Sequence, residues 1–205
     1  METRSAGRPR EFDRDEALKA AALLFWKHGF SGTSTRSLST SLGISSSSLY
    51  AAFGSKADLF DEAVRTYARR YSAIYGAALT EPTLKGVVSH VLIDSAREFG
   101  RTAEGHPGCL TSSAVMADAS STLDVRGYVT ELQHRDEGRL RERIESDVLD
   151  GRVSTTIEPA ALAGLVQTLW HGLAARADLG ASADELLAAA ESAIACLPIA
   201  QPAQP

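Results

Sequence analysis

Apolar residues recur at intervals of three and four along almost the whole chain, with polar residues between them. The segment 13–28 is typical, since its apolar positions are Ala17, Leu18, Ala21, Leu24 and Phe25. This spacing places them on one face of an α-helix. No segment sustains the two-residue alternation of a half-buried β-strand. The pattern therefore predicts an all-α fold of about nine helices.

Glycine, proline and capping side chains divide this pattern into separate helices. The predicted helices span residues 13–28, 35–42, 46–53, 56–78, 84–101, 109–117, 121–149, 159–178 and 183–197. Thr35 is predicted to cap the second of them. Residues spaced as in a capping box stand at the start of three others: Asp13 with Glu16, Ser55 with Asp58, and Ser182 with Glu185.

The net charge of −5 is divided unevenly along the chain. Residues 1–56 contain eight Lys or Arg and five Asp or Glu, whereas the remainder contains thirteen and twenty-one. A basic end on an acidic body can present one face to a polyanion. We predict three parts: a small domain with a basic N-terminal arm at 1–55, a larger helical domain at 56–198, and a disordered tail at 199–205.

Several function classes find no support in the sequence. No apolar run approaches the length of a membrane span, about 18 residues, and the charged N-terminus lacks the apolar core of a secretory signal. Cys109 and Cys196 lie far apart without a CxxC pair, which argues against structural zinc and fits a cytoplasmic location. No P-loop, GxGxxG, GxSxG or HExxH motif is present, so we expect no enzyme, no cofactor and no metal.

The helices predicted at 35–42 and 46–53 are short, and a tight turn at Gly43 joins them. Together with the helix before them they have the layout of a helix-turn-helix, whose second short helix enters the major groove of DNA. The side chains expected to hold the pair together are Leu38, Leu42, Ile44 and Leu49. Spacing alone leaves two interpretations open: a DNA-binding unit, or a helical hairpin that does not bind DNA.

A longer series of residues bears on this choice. It consists of Gly29-Phe30-Ser31-Gly32-Thr33-Ser34-Thr35, Leu42-Gly43-Ile44-Ser45, Ser48-Leu49-Tyr50, Phe53 and Lys56, in order and without gaps. The series resembles the N-terminal signature of the TetR family of transcription regulators. The resemblance implies a homodimeric repressor that binds double-stranded DNA at an inverted-repeat operator. It also implies that a small-molecule effector releases the repressor from DNA.

Four residues are expected to contact the DNA backbone. Arg8 and Arg10 lie on the basic arm, from which they can reach phosphate or an adjacent minor groove. The resemblance implies that the hydroxyl of Tyr50 and the ammonium of Lys56 contact phosphate. Such contacts set the register of the protein on DNA and carry no sequence information.

The predicted recognition helix has an unusual composition. It begins at Ser45, Ser46 and Ser47 and contains no Arg, Asn or Gln, the residues that usually make bidentate base contacts. Ser45 is predicted to cap the helix, and the next two serines to make single hydrogen bonds to DNA. Thr35 and Arg36 begin the preceding helix, whose free amides can bind a phosphate. Sequence selection is then expected to depend on Arg36, the arm and DNA shape.

The last two long helices carry apolar and small residues at helical spacing, as a dimer interface requires. The positions predicted for that interface are Leu162, Leu165, Val166, Leu169, Leu173, Leu187, Ala190 and Ile194. Two such helices from each subunit would form a four-helix core. The alternative is that these faces belong to the core of a single subunit.

A mostly apolar effector pocket is expected among the central helices. Its candidate residues are Tyr67, Tyr71, Phe99, Cys109, Met116, Tyr128, Trp170 and His171, each of which could instead be ordinary core. Cys109 begins a predicted helix, where the helix dipole lowers the pKa of a thiol. The sequence therefore permits an alternative function, a regulator that senses oxidants or electrophiles through Cys109. The simpler interpretation is that this thiol is a small buried apolar group.

Overall fold

The computed structural model describes residues 12–101, 108–112, 125–154, 156 and 158–199. Its helices are α1 (Arg14–Gly32), α2 (Thr35–Leu42), α3 (Ser46–Phe53), α4 (Lys56–Ala78), α5 (Leu84–Phe99), α6 (Val125–Leu149), α7 (Pro159–Asp178) and α8 (Ala183–Cys196). Residues 110–112 are also helical, at the position of another predicted helix. These residues contain no β-strand, and the predicted all-α fold is confirmed.

Three predicted features lie outside the described residues. They are the basic arm with Arg8 and Arg10, the candidate pocket residue Met116, and the tail beyond Ile199. In the part of the chain that is described, no helix is both long enough and apolar enough to cross a lipid bilayer.

Local capping interactions fix where most helices begin. The capping boxes predicted at Ser55 and Ser182 are both formed, with each hydroxyl accepting a hydrogen bond from the amide three residues later. The prediction for Thr35 is wrong, because Thr35 is the first residue of α2 and Ser34 is its cap. Ser34 has an extended backbone, and its hydroxyl accepts the hydrogen bond of the Ser37 amide at 3.0 Å.

The helices enclose two hydrophobic cores. The N-terminal core lies between α1, α2, α3 and the first half of α4, and its large buried side chains include Phe25, Leu38, Leu49 and Phe60. The C-terminal core lies between the second half of α4 and helices α5 to α8. Within α4, residues up to Tyr67 belong to the first core and residues from Tyr71 onward to the second. The two cores therefore meet within α4, between Tyr67 and Tyr71, which is C-terminal to the domain boundary predicted after residue 55.

Two other segments also contribute to both cores. Cys109 is buried in the C-terminal core, whereas its neighbour Leu110 is buried in the N-terminal core. In α6, Val129 belongs to the N-terminal core and Leu140 to the C-terminal one. The small N-terminal unit is thus attached to the larger one by continuous packing along three segments of the chain.

Helix α7 lies largely inside the protomer, and this corrects part of the predicted dimer interface. Four of the predicted interface residues are buried in the C-terminal core, where they contact their own subunit: Leu162, Val166 and Leu173 on α7, and Ala190 on α8. Between 0 and 5% of the surface of these four residues is exposed, so the alternative of a single-subunit core describes them better than an inter-subunit surface. Of the other predicted interface residues, Leu165 is exposed, whereas three are partly buried against the C-terminal core: Leu169, Leu187 and Ile194.

We predict that Gly108→Ala destabilises the fold by about 3 kcal/mol. Gly108 has a φ of 99°, and a Cβ atom there would lie 1.7 Å from Oδ1 of Asp178. The matched control is Gly76→Ala, because Gly76 is helical and a Cβ atom there meets nothing within 4 Å. Gly76→Ala should stabilise the protein by about 1 kcal/mol. Urea unfolding measures both, and equal midpoints for the two variants would contradict the close approach at Gly108.

Candidate nucleic-acid interface and ligand cavity

Helices α2 and α3 form a compact pair at the surface. Gly43 ends α2 with a left-handed backbone, φ 64°, which glycine adopts without strain. The pair is held from below by Leu38 and Leu49, both buried. This is the turn geometry expected of a helix-turn-helix, and it leaves the outer face of α3 free of packing against the protomer.

A row of hydroxyl groups joins the two helices on the outer face. The Thr35 hydroxyl at the start of α2 lies 3.1 Å from the hydroxyl of Tyr50 on α3. Ser39 and Ser46 make a second such contact between the helices, also at 3.1 Å. Tyr50 is 45% exposed. Its hydroxyl is held by the contact with Thr35 and is still accessible to a second hydrogen-bond partner. A face of this kind can hydrogen-bond phosphate oxygens through several donors at once.

The serines at the start of α3 have different roles. Ser45 is the N-cap, as predicted, and its hydroxyl accepts the hydrogen bond of the Ser48 amide at 3.0 Å. That hydroxyl also lies 2.8 Å from the hydroxyl of Ser47 and 2.9 Å from that of Ser48. Ser45, Ser46 and Ser47 are exposed, whereas Ser48 is half-buried. Contacts between these serines and DNA bases stay a prediction.

Lys56 has a structural role that the sequence analysis did not anticipate. Its ammonium donates hydrogen bonds to the backbone carbonyls of Phe30 and Thr33, each at 3.0 Å, and lies 4.0 Å from the centre of the Phe30 ring. Both carbonyls belong to residues just C-terminal to Gly29, whose φ of 69° interrupts α1. The ammonium has three N–H groups and these two hydrogen bonds use two of them, so one remains for a phosphate. The phosphate contact of Lys56 therefore stays a prediction alongside the observed structural one.

Thr33 closes the same loop from the other side. Its side chain is buried, and its single hydroxyl proton lies between two acceptors, the carbonyls of Gly29 at 2.8 Å and Leu24 at 3.2 Å. The hydroxyl and the Lys56 ammonium together satisfy carbonyls left open where α1 is interrupted. Several residues of the sequence signature are thus explained by the packing of one loop.

An ion pair joins α1 to α4 beneath the helix pair. Both terminal nitrogens of Arg14 donate to the carboxylate of Glu62, each at 2.6 Å, and the guanidinium lies 4.6 Å from the centre of the Phe53 ring. The Glu62 hydrogen bond raises the pKa of Arg14. The sequence analysis missed this pair because its members are 48 residues apart. Arg36, by contrast, is exposed at the first turn of α2.

A small, partly open cavity of about 20 Å³ lies between α4, α6 and α7. Its lining consists of Ala68, Tyr71, Ser72, Tyr75, Thr111, Val129, Leu132, Gln133, Asp136, Gln167 and Trp170. Most of the wall is aromatic or aliphatic, and the polar groups are gathered where α4 faces α6 and α7. The lining is of the kind found at small-molecule sites, but the volume has room for about one water, so an effector could enter only if the surrounding helices move apart.

The residues predicted for an effector pocket are only partly at this cavity. Trp170 and Tyr71 line it, with ring centres 5.6 Å apart. Phe99 packs behind them, 5.1 Å from Trp170. Tyr67 and Tyr128 are in or against the N-terminal core.

His171 lies beside the cavity, where its Nε2 is 3.3 Å from the Gln167 amide nitrogen. Sequence analysis missed the polar lining residues because their positions on α4, α6 and α7 are far apart along the chain. Among the described residues, no cluster of three or more His, Cys, Asp or Glu could hold a metal ion.

The cysteines do not have the environment of a thiol sensor. Cys109 is completely buried, and its sulfur lies 2.9 Å from the Thr111 hydroxyl. Burial raises the pKa of the Cys109 thiol, opposite to the lowering expected from a helix terminus. Cys196 is exposed at the end of α8. The sensing alternative is therefore not favoured, and Cys109 is a buried apolar group.

Comparisons with known proteins agree with this geometry. Residues 17–63 match the family model of bacterial regulatory proteins, tetR family. The chain is 28% identical over 193 residues to the HTH-type transcriptional repressor ComR of Escherichia coli K12, covering 90% of this chain and 88% of that protein. It is similar to a solved cysteine variant of the TetR family transcriptional regulator CifR, complexed with 26-base-pair operator DNA. That likeness has 31% identity, a TM-score of 0.79, and covers 94% of this chain and 100% of the other.

A third likeness extends over a comparable length. The solved structure is a TetR transcriptional regulator from Rhodococcus sp. RHA1, with 33% identity and a TM-score of 0.62. The likeness covers 90% of this chain and 99% of that one. These comparisons confirm the predicted architecture of an N-terminal helix-turn-helix and a C-terminal helical domain.

We predict that Lys56→Met lowers the free energy of unfolding by about 2 kcal/mol, because it removes two charge-assisted hydrogen bonds to carbonyls. Lys27→Met is the matched control, since Lys27 is exposed on α1 and the charge change is identical. The control should stay within about 0.5 kcal/mol of the wild type. Guanidinium unfolding gives the comparison, and a Lys56→Met protein as stable as the control would show that the loop does not need the ammonium.

Proposed function

The chain belongs to the TetR family of transcription regulators, and from this we propose that it is a repressor that binds an inverted-repeat operator as a homodimer and leaves it when a small molecule occupies the cavity. The observation that carries the proposal is the hydroxyl face of α2 and α3, on which Thr35 and Tyr50 are joined across the two helices. The operator-bound state of the similar protein CifR supports it.

Backbone contacts are proposed to come from the start of α2 and from Tyr50. Thr35 and Arg36 occupy the first turn of α2, where amides free of helical partners face outward. The Tyr50 hydroxyl can donate to phosphate while accepting from Thr35. Arg8 and Arg10 on the N-terminal arm are proposed to add further contacts. Lys56, the first residue of α4, is proposed to donate its remaining N–H to a phosphate.

Base contacts are proposed to be few, and each is a single hydrogen bond made by a serine hydroxyl. The exposed hydroxyls of Ser46 and Ser47 can each donate or accept one hydrogen bond, so each is compatible with several bases. A substantial share of the selectivity then comes from DNA shape and from the spacing of the two half-sites.

The dimer surface is proposed to be the exposed face of α7 together with α8. Along α7 the exposed positions follow helical spacing: Ala161, Leu165, Thr168, Gly172 and Ala175. On α8 the exposed small residues are Ala188, Ser192 and Ala195. Small side chains allow helices of two subunits to approach closely, and Leu165, with 38% of its surface exposed, would be buried between them.

Release from DNA is proposed to follow from the position of the cavity between the two cores. Val129 and Thr111 line the cavity, while Val129 and Leu110 pack in or next to the N-terminal core. A ligand that prefers a wider cavity would displace these residues and with them the helix pair. The ligand shifts the equilibrium only by the difference between its affinities for the two conformations. The relatives found are named as transcription regulators. We propose that this chain likewise is not an enzyme, and that it acts in the cytoplasm, where DNA is accessible.

We predict that Arg36→Ala weakens binding to the operator and reduces the salt slope of log K by about 0.9, because one phosphate contact is lost. The operator is first identified by genome-wide mapping of bound sites. Arg141→Ala is the control, since it removes the same charge from an exposed position on α6. Fluorescence anisotropy across a salt series measures both slopes. If the two variants have the same slope as the wild type, Arg36 is not a phosphate contact.

We also predict that the wild type is a dimer and that Leu165→Glu is a monomer with weak operator affinity, because the substitution places charges in the interface. Leu149→Glu is the control, at an exposed leucine, 86% accessible, at the end of α6. Light scattering at micromolar concentration determines the masses. A monomeric wild type, or a dimeric Leu165→Glu protein, would contradict the proposed surface.

A further inference from the structure

The two hydroxyl contacts between α2 and α3 repeat with the period of a helix. Thr35 and Ser39 are four residues apart on α2, and Ser46 and Tyr50 are four residues apart on α3. Residues four apart lie on the same face of a helix. One contact joins Thr35 to Tyr50 and the other joins Ser39 to Ser46, each with 3.1 Å between the oxygens. The two helices thus face each other through two hydroxyl contacts that lie side by side.

The two partners in each contact differ in exposure. Ser46 and Tyr50 on α3 are exposed, whereas Thr35 and Ser39 on α2 are half-buried. The α3 hydroxyls are therefore the more accessible ones for a molecule that lies on this surface. The less exposed α2 hydroxyls are placed to hold them in direction.

The turn between the helices fixes the backbone of Ser39. Its carbonyl accepts a hydrogen bond from the amide of Gly43, which ends α2, and a second from the amide of Ile44 at 3.1 Å. A side chain on a backbone held in this way can restrict the direction of the group it contacts. For Ser39 that group is the hydroxyl of Ser46, the first residue of α3.

An exposed serine without such a contact has no single side-chain direction. Its χ1 angle has three staggered positions, and ordering it on binding costs free energy. The contact with Ser39 selects one direction for Ser46. A hydroxyl has one proton and two lone pairs, so Ser46 retains the capacity for a second hydrogen bond whichever of the two serines donates. Ser46 is therefore preorganised for a further partner and not saturated by Ser39.

We infer that Ser39 is a positioning residue for base recognition, and that it holds the Ser46 hydroxyl in the direction from which it hydrogen-bonds one base in the major groove. This inference rests on the proposed function, since it names a residue that sets the selectivity of the same surface. Base edges present donors and acceptors at fixed positions, so a hydroxyl of fixed direction favours the base pair that places a partner there. Thr35 has the corresponding place beside Tyr50, whose proposed phosphate contact is independent of sequence.

The test measures base preferences of the full-length protein by fluorescence anisotropy. The probes are the operator found by genome-wide mapping and duplexes in which each of its base pairs is changed symmetrically in both half-sites. Ser46→Ala identifies the base pair at which the Ser46 hydroxyl acts, because the preference falls there. Ser39→Ala should lower the preference at the same base pair about threefold per half-site, since three rotamers replace one, and about ninefold for the dimer. Preferences at other base pairs and the salt slope should not change.

Further variants separate a role through Ser46 from a purely structural one. If Ser39 acts through Ser46, adding Ser39→Ala to Ser46→Ala causes no further loss of preference. Ser39→Thr keeps the hydroxyl and should keep the preference. The control Ser41→Ala removes an exposed hydroxyl from the same helix and should leave every preference unchanged. Thr35→Val should instead weaken binding to all sequences alike, because Tyr50 is proposed to contact phosphate.

Several outcomes would overturn the inference while leaving the proposed DNA-binding function intact. They are a Ser39→Ala protein with unchanged preferences or with uniformly weaker binding, an additive loss in the double variant, and a Ser46→Ala protein that loses no preference. If urea unfolding shows that Ser39→Ala does not fold, Ser39→Cys replaces it with the same expectation, because a thiol is only a weak hydrogen-bonding group. A wild type without sequence-selective binding refutes the proposed function itself, so the two failures are distinguishable.

Discussion

Helix α4 must supply apolar side chains to two hydrophobic cores at once, and the rest of the structure depends on this constraint. Its first half, with Leu59 and Phe60, closes the core beneath the helix pair. Its second half, with Tyr71 and Tyr75, belongs to the core of the larger unit and lines the cavity. Because α4 is continuous, a displacement of its second half at the cavity would be expected to move its first half at the base of the helix pair. The DNA-binding and ligand-binding functions proposed for the chain are thus mechanically connected.

The N-terminal unit packs on α4 through its hydrophobic core, and polar interactions near the break in α1 add to this packing. Lys56 and Thr33 satisfy the carbonyls around that break, and Arg14 reaches Glu62 on the adjoining turn of α4. Charges and hydroxyls in these positions direct the loop more specifically than apolar contacts would, because each has a fixed geometry. The orientation of the recognition helix therefore follows from the same few bonds that stabilise the loop.

The sequence predicted what depends on near neighbours along the chain. Helix bounds, the caps at Ser45 and Ser55 and the turn at Gly43 all arise within a few residues. Ser34 and Thr35 can both cap a helix, so the choice between them depended on backbone geometry. Contacts between residues that are far apart along the chain were harder to predict.

The inner and outer faces of α7 are both apolar, so the pattern did not distinguish buried Leu162 from exposed Leu165. The cavity required contacts such as that of Ser72 with Asp136, 64 residues apart, which no local pattern encodes. The predicted DNA contacts of Arg8 and Arg10 lie outside the described residues and stay a prediction.

The serines that begin α3 have a consequence for how such a regulator changes over evolution. A hydroxyl accepts or donates, so if Ser46 and Ser47 contact bases as proposed, a single base change in the operator leaves each of them able to form an alternative hydrogen bond. The discrimination lost per mismatch is then smaller than with a bidentate arginine or asparagine contact, which is worth about 1 to 3 kcal/mol. Operators that differ in sequence but share the same half-site spacing can therefore be bound by one protein. A regulon can gain or lose sites gradually, without any substitution in the protein.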